Sequence, residues 1–389
     1  MKNNFLAQGL ELKKHLIKIR RDLHQCPELG AHLPQTTAYV KVQLEEMGCQ
    51  VQEIPGAGLT ACIGAGRKKT LLLRADMDAL PMDEKSGEPF SSPVAGQAHT
   101  CGHDLHTAFL LGAARLLKER EAELPGQVKL VFQTGEETLE GAQAMLRSGI
   151  LEQPTVDAAL GIHVMPTEPI GHLYFPKGVV LSSSDMFEIV IEGKGGHAAA
   201  PHLAVDPINA AAHIILGLQS LQAKSVPPDQ NVVLNVCRVE SGSATNIIPE
   251  QARLWGTLRT FHDPLCRQIQ EQMEQVVNCT AQAFGASARL RFSEHCPCTR
   301  NDPALVEALE PCLDRFSPDL VRHSVYRLQV SDDFGFYSQK VPSAMILIGC
   351  RPSEGEACHN HSPFVRYNED VLTTGAALLA HCAYEWLLR

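Results

Sequence analysis

Three apolar segments of this sequence each lead directly into an acid or a histidine. The first, LLLRAD, delivers Asp76 and then Asp78; the second, 127–133 (QVKLVFQ), leads to the acids of TGEE; the third, 156–163 (VDAALGIH), ends on His163. Short apolar runs of this kind are typical of buried strands. In open α/β sheets, ligand-binding side chains collect at the carboxyl ends of such strands. The pattern predicts a buried α/β sheet with a polar site along one edge.

Length and charge limit the function. The 389-residue chain exceeds what one hydrophobic core usually serves, so we expect two domains. Its net charge of -10 is spread without a long acidic or basic block, which disfavours nucleic-acid or anionic-membrane partners. No apolar run reaches the roughly 18–20 residues that span a bilayer. The odd number and irregular spacing of the cysteines favour reduced thiols, and we expect a cytoplasmic protein with a small-molecule substrate.

A different pattern begins near residue 182. The expected order from there is strand, helix, two strands, helix and strand, which is the ferredoxin-like unit. Elsewhere helices and strands alternate, as expected for an α/β protein. The expected domains are therefore a discontinuous catalytic domain, 1–181 and 294–389, and an inserted α+β domain, 182–293. The expected helices are 6–25, 35–48, 104–120, 140–149, 206–223, 264–284 and 369–387, and the expected strands include 59–63, 230–240, 251–261, 286–293 and SAMILIG.

The stretch HTCGHDLHTAF, residues 99–109, has three interpretations. Cys101 and His103 are soft and borderline metal ligands at a spacing that suits a loop leading into a helix. Cys101 could instead be a nucleophile with His103 or His106 as its base. The stretch could also be a helix start that is rich in polar residues. Taken alone, it does not choose among them.

Further candidate ligands favour the metal interpretation. Glu136 and Glu137 follow a strand too apolar for the surface, and adjacent side chains point in different directions. One glutamate can therefore bind metal while the other stays free beside the reacting water. One cysteine, three histidines and one glutamate would supply enough ligands for two divalent ions bridged by water. The histidines are His103, His163 and His361, the last in ACHNHSPFV.

A family resemblance covers the chain from about residue 20 to the last helix. RRDLHQCPELG, LLLRADMDALP, HTCGHDLHT, FQTGEE, GIHV, GKGGHAAAPH, TNIIPEQARLWGTLRTF, SDDFGFY and HNHSPFV together resemble the metallopeptidase M20 family in its amidohydrolase branch. That branch includes hippurate, N-acyl-amino-acid and indole-acetyl-amino-acid hydrolases. The resemblance implies a zinc-peptidase-like catalytic domain with a mixed sheet, and an inserted domain that acts as a lid and in dimerisation.

The resemblance also assigns roles to residues. It implies that Glu136 is the general base and that Asp78 orients a ligand or tunes the base, and it leaves Asp76 uncertain. SDDFGFY has aspartate at 332 where the family usually has glutamate, which would alter a pocket wall and with it the substrate. The implied metal ligands are Cys101, His103, Glu137, His163 and His361.

Three residues of the inserted domain complete the implied site. His197 would steady the tetrahedral oxyanion, reaching across a dimer interface or down on lid closure. Asn246 and Arg259 would bind the substrate's carbonyl or carboxylate.

The expected function is metal-dependent hydrolysis of the amide bond of an N-acyl amino acid or small conjugate, in a homodimer or higher homo-oligomer. The expected cofactors are two Mn²⁺ or Zn²⁺ ions, with Ni²⁺ or Co²⁺ as alternatives. Alternative functions are a dipeptidase or aminoacylase on the same scaffold, a metal-independent hydrolase that uses Cys101, and a non-catalytic binding protein.

Overall fold

The computed structural model describes residues 4–66 and 68–389, and the chain divides into two compact units. The first unit comprises Met1–Val180, Arg300–Tyr326 and Asp332–Arg389, and the second comprises Leu181–Thr299 and Arg327–Ser331. The functions that the sequence predicts for its two domains, catalysis and a lid or dimer contact, stay predictions.

The elements are numbered in chain order. The helices are α1 (Phe5–Glu11), α2 (Lys13–His24), α3 (Pro34–Glu46), α4 (His103–Lys118), α5 (Gly141–Arg147), α6 (Pro207–Ser225), α7 (Asp263–Ala283), α8 (Pro303–Phe316), α9 (Gly335–Ser338) and α10 (Val371–Leu387). The strands are β1 (Val51–Ile54), β2 (Gly58–Ile63), β3 (Thr70–Asp76), β4 (Gln127–Gln133), β5 (Ala158–Met165), β6 (His172–Tyr174), β7 (Gly178–Leu181), β8 (Ser184–Glu192), β9 (Gly196–His197), β10 (Val232–Ser241), β11 (Ile247–Ile248), β12 (Gln251–Thr260), β13 (Ser287–Cys296), β14 (Thr299–Asn301), β15 (Val321–His323) and β16 (Ser343–Gly349).

A mixed sheet organises the first unit. Its strand order is β1-β2-β4-β3-β5-β16-β6-β15, and the four central strands, β4, β3, β5 and β16, are mutually parallel. All residues of β3 and β16 are buried, as expected for parallel strands covered on both faces. Because the central strands are parallel, their carboxyl ends share one edge of the sheet.

The second unit contains an antiparallel sheet in the order β10-β12-β8-β13, with α6 and α7 contributing to its core. Apart from the two-residue strands β9 and β11, which pair with each other, the chain order is strand, helix, two strands, helix and strand, as the sequence predicts. The mixed α/β fold class that the sequence predicts is confirmed.

Several expected elements differ from the structure. The helix expected over 6–25 is two helices, α1 and α2, divided at Leu12, whose amide is shared between the carbonyls of Gln8 and Gly9. The sequence analysis does not predict β1, β6, β7 or β15, because strands of three or four residues are too short to show a periodic pattern. His163 does not end its strand, since β5 continues to Met165. Within the described residues, no helix combines the length and apolar character needed to cross a membrane.

Candidate metal centre

The predicted ligands lie at or beyond the carboxyl ends of the parallel strands. Glu136 and Glu137 lie in the turn after β4, and His163 lies near the end of β5. His103 is the first residue of α4, and His361 lies in the segment between β16 and α10. Residues far apart in sequence therefore meet at one edge of the sheet.

Gly102 allows Cys101 and His103 to reach the same site. Its φ is +89°, in the left-handed region that glycine tolerates, and it stands immediately before α4. A Cβ atom here would lie 2.4 Å from Cγ2 of Val164 on β5. The backbone therefore packs closely against β5, and the residues on both sides of the glycine lie beside His163.

The candidate ligand atoms form overlapping groups in which all atoms lie within 4.8 Å of one another. Sγ of Cys101 lies 3.6 Å from Nε2 of His163. Nε2 of His361 lies 3.3 Å from Oε1 of Glu137, and Nε2 of His103 lies 3.9 Å from the same oxygen. Three of these groups are Cys101 with His103 and His163; Cys101 with Glu137 and His361; and His103 with Glu136 and Glu137.

Hydrogen bonds orient two of the imidazoles. Nδ1 of His103 donates to the carbonyl of Asp78 at 2.8 Å, and Nδ1 of His163 donates to the carbonyl of Val164 at 2.9 Å. Nδ1 of each ring therefore carries a proton, and Nε2 is the ring nitrogen directed at the cluster, as in metal-binding histidines. Nε2 of His103 and Oε1 of Glu137 are buried without a hydrogen-bond partner among the described residues. Buried polar atoms are rarely left unpaired, so a cation fits this donor set.

Asp78 and His106 hold the surrounding backbone. The Asp78 carboxylate accepts hydrogen bonds from the amides of Glu136 and Glu137, both at 3.0 Å, and thereby fixes the turn that carries them. Both ring nitrogens of His106 are engaged, Nδ1 at 2.6 Å from Asp76 and Nε2 accepting from the Val164 amide at 3.0 Å. In this geometry Asp78 is a supporting residue, and His106 joins β3 to β5.

The pKa values of the two glutamates are shifted in opposite directions. Burial, the nearby Asp332 and Glu137 raise the pKa of Glu136 well above its usual value. Burial also raises the pKa of Glu137, but His361 and His103 outweigh it and bring the pKa below its usual value. Glu137 is therefore the better anionic ligand, and Glu136 is the better proton carrier.

The sequence analysis misses a buried charged group beside Glu136. Arg74 of β3 contacts Asp333 at 2.6 Å and Asp332 at 3.2 Å, and the amide of Asp333 donates to Oε1 of Glu136 at 3.4 Å. Burial raises the pKa of Asp333 to about 7 although Arg74 opposes this shift. The sequence feature that could have revealed this group is Arg74 within the apolar segment LLLRAD, because a buried charge requires a partner of opposite charge. Asp332, expected in a pocket wall, is buried in this group.

The remaining predicted residues belong to the second unit. His197 and Asn246 lie close together there, because β9 pairs with β11 and the Ala198 amide donates to the Asn246 carbonyl at 3.0 Å. Both side chains are exposed. Arg259 of β12 is half-buried, and burial lowers its pKa.

The thiol, imidazole and carboxylate groups gathered at the strand ends of this α/β fold are the ligand types of a zinc-like metal centre. The family model described as Peptidase family M20/M25/M40 matches residues 72–385, and the chain belongs to this family. The family inferred from the sequence motifs is therefore confirmed, and the protein is a hydrolase of this family.

The similar proteins include enzymes of the amidohydrolase branch. The chain is 37% identical over 371 residues to an N-acetylcysteine deacetylase of Bacillus subtilis, covering 95% of this chain and 96% of that one. It is 37% identical over 393 residues to the IAA-amino acid hydrolase ILR1-like 4 of Arabidopsis thaliana, covering 98% and 88%. The crystal structure of a dinuclear metal-binding M20 peptidase from Bacillus subtilis matches with a TM-score of 0.84 and 34% identity, covering 96% and 98%.

Proposed function

We propose that the protein is a metal-dependent amidohydrolase that releases the free amino acid from an N-acyl amino acid. The observation that carries the proposal is the buried donor set, in which Nε2 of His103 and Oε1 of Glu137 lie near Glu136 and make no hydrogen bond within the described residues. The names of the relatives support this substrate class, since one is a deacetylase of N-acetylcysteine and another a hydrolase of amino-acid conjugates.

Two divalent ions are the proposed cofactors. Mn²⁺ and Zn²⁺ are the first candidates, and Ni²⁺ and Co²⁺ are alternatives that suit the same mixture of ligands. When bound, such ions polarise the amide carbonyl and lower the pKa of water toward about 7. The residues proposed to hold them are Cys101, His103, Glu137, His163 and His361.

Two residues are proposed to act on the substrate. Glu136 takes a proton from the attacking water and passes it to the leaving amine, a role that contributes about 10²–10⁴-fold in rate. Its buried position beside the proposed ligands suits a group that holds a proton between these steps. His197 donates to the developing oxyanion, and Asn246 and Arg259 bind the substrate's carbonyl or carboxylate.

The biological setting is part of the same proposal. We propose that the protein works as a homodimer or higher homo-oligomer in the cytoplasm. The odd number and irregular spacing of the cysteines, which favour reduced thiols, support the cytoplasmic setting, and the family resemblance supports the oligomer.

A dipeptidase or aminoacylase is the alternative reaction on the same scaffold. The solved Bacillus subtilis relative is described as a peptidase, which keeps this alternative open. A panel of N-acetyl amino acids, N-benzoyl amino acids and dipeptides, assayed with added metal, separates hydrolysis of N-acyl amino acids from hydrolysis of dipeptides. Turnover confined to dipeptides would replace the N-acyl proposal with the peptidase one.

Metal removal tests the reaction class. Exhaustive chelation should abolish hydrolysis, because the ions polarise the carbonyl and activate water. Adding back Mn²⁺, Zn²⁺, Co²⁺ or Ni²⁺ should restore it. Full activity after chelation, verified by metal analysis, would favour the hydrolase that uses Cys101 as its nucleophile. Metal binding without turnover of any substrate in the panel would favour the non-catalytic binding protein.

The substitution Glu136→Gln tests the base. We expect metal content to stay near wild type and kcat to fall by about 10²–10⁴-fold, because glutamine cannot carry the proton. Glu140→Gln is the matched control, since this exposed glutamate lies four positions along the same segment. A kcat of Glu136→Gln equal to that of the control would remove Glu136 from this role.

A further inference from the structure

The backbone of His361 is held in an unfavourable conformation. Its φ is +66°, in the left-handed region, which is uncommon for residues other than glycine although histidine is among those that adopt it more often. Its side chain is 54% exposed, so packing around the ring does not explain the conformation. The amide of His361 donates to the carbonyl of Thr100 at 2.9 Å, next to Cys101. Other contacts must help to hold this loop, because such strain persists only where the surroundings impose it.

Tyr367 and Asn360 supply those contacts. The hydroxyl of Tyr367 donates to the Thr100 carbonyl at 2.8 Å and lies 3.1 Å from Oδ1 of Asn360. Nδ2 of Asn360 donates to the Val164 carbonyl at 3.3 Å. That carbonyl also accepts the hydrogen bond from Nδ1 of His163. The two side chains therefore join the backbone beside three candidate ligands that are distant in sequence.

The ring of Tyr367 also packs against the turn between Cys101 and His103. A Cβ atom at Gly102 would lie 3.4 Å from Cε1 and Cζ of this ring, so the ring and the glycine are in close proximity. Tyr367 is 7% exposed, and its phenol is fixed at both its ring and its hydroxyl.

We propose that Tyr367 and Asn360 are positioning residues. They hold Cys101, His163 and His361 in the relative positions that metal binding requires and thereby set the affinity of the metal centre. The inference rests on the proposed function, because it takes these three residues as metal ligands. Groups that orient metal ligands typically contribute about 10–100-fold in metal affinity.

The variant Tyr367→Phe tests the proposal, because it removes the hydroxyl and keeps the ring against Gly102. We expect metal affinity, measured by competition with a chelator, to weaken by about 10–100-fold. In the Co²⁺-loaded protein, the thiolate-to-metal absorption of Cys101 should change. Excess metal should restore most of the hydrolytic rate, since the hydroxyl takes no part in the reaction.

Tyr384→Phe is the matched control. Tyr384 is also 7% exposed, and its hydroxyl donates to Glu123 at 3.2 Å rather than to the ligand loops. The two variants should unfold at similar temperatures without metal and differ in metal affinity. Asn360→Ala, at a half-buried loop position, should weaken metal binding in the same way without threatening the fold.

The outcomes separate the two proposals. Wild-type affinity in both Tyr367→Phe and Asn360→Ala would overturn the positioning role while leaving the proposed function intact. A wild-type protein that binds no divalent metal would overturn the proposed function and, with it, this inference. A rate loss in Tyr367→Phe that persists at saturating metal would also contradict a role in positioning alone.

Discussion

At the scale of single residues, the metal centre depends on backbone conformations as much as on ligand identity. Gly102 illustrates this, since the motif Cys-Gly-His requires its middle residue to be glycine on two separate grounds. The first is its φ of +89°, and the second is the closeness of Val164, which leaves no space for a Cβ atom. Either requirement alone would strain a larger residue.

The substitution Gly102→Ala should separate these two effects when compared with Gly178→Ala. Gly178 has a similar φ of +86° but nothing within 4 Å of its Cβ position. Gly178→Ala should cost about 1–2 kcal/mol of unfolding free energy, from the left-handed backbone alone. Gly102→Ala should cost a further 1–3 kcal/mol or so from overpacking, and should weaken metal binding. Urea denaturation of both variants measures the difference, and equal losses would contradict the steric argument.

The sequence identifies candidate ligands that the structure brings together, but it does not identify the charged residues beside them. Cys101 and His103 could be identified as candidate ligands from the sequence because they are metal-binding residue types at a spacing that suits metal binding. The contacts of Arg74 with Asp332 and Asp333 join positions more than 250 residues apart, as their hydrogen bonds record. Local pattern carries no information on such pairings, so only the need of a buried arginine for a partner could have suggested them.

At the scale of elements, a buried ionic network joins α2 to α4 beside the metal centre. Asp104, the second residue of α4, accepts hydrogen bonds from Arg20 at 2.7 Å and from His24 at 2.8 Å. Nε2 of His24 lies 3.1 Å from Oε2 of Glu84. Burial raises the pKa of Glu84, but His24 and the hydrogen bonds from Ser86 and Ser92 outweigh it and lower this pKa to about 2. The network therefore ties the start of α4, with His103, to α2 and to the loop after β3.

The protonation of His24 gives this network a pH dependence. Burial lowers the pKa of His24, but Asp104 and Glu84 outweigh it and raise the pKa above its usual value. The folded chain therefore binds the proton more tightly than the unfolded chain. The resulting stabilisation is complete below the usual histidine pKa of about 6.5 and is lost as the pH rises through the folded value.

The variants His24→Gln and His15→Gln test the direction of this pH dependence of stability. The free-energy difference between wild type and His24→Gln should be larger near pH 6 than near pH 8.5. His15, also on α2, has its pKa lowered by burial and by Arg115. The free-energy difference between wild type and His15→Gln should therefore change with pH in the opposite direction. Urea denaturation at both pH values, at saturating metal, makes the comparison. Parallel changes in the two variants would contradict the account of the network.

The long, buried elements are predicted best from sequence. The bounds of β4 and β16 match their predicted segments, because continuous apolar runs between turns define them. The short edge strands β1 and β15 are half-exposed or exposed over much of their length and show no apolar run. Their positions depend on the sheet that they join, which local sequence does not describe.

At the scale of the whole molecule, the candidate site residues are divided between two units. All the proposed metal ligands and Glu136 belong to the first unit, whereas His197, Asn246 and Arg259 belong to the second. His197 is exposed, and its Nδ1 accepts a hydrogen bond from the Ala199 amide at 3.0 Å, so its Nε2 remains available as a donor. This tautomer suits a group that steadies an oxyanion, which is the role proposed for it.

Mixing inactive protomers tests whether His197 serves the active site of a partner subunit. We expect His197→Ala and Glu136→Gln each to be nearly inactive, since loss of one oxyanion donor alone typically costs about 10²–10³-fold. If His197 acts across a dimer, a mixed dimer contains one site with an intact Glu136 and the partner's intact histidine. Random exchange of equal amounts should then restore about a quarter of the wild-type activity, because half of the dimers are mixed and each has one complete site. Subunit exchange confirmed by mass spectrometry without recovered activity would show that His197 acts within its own chain.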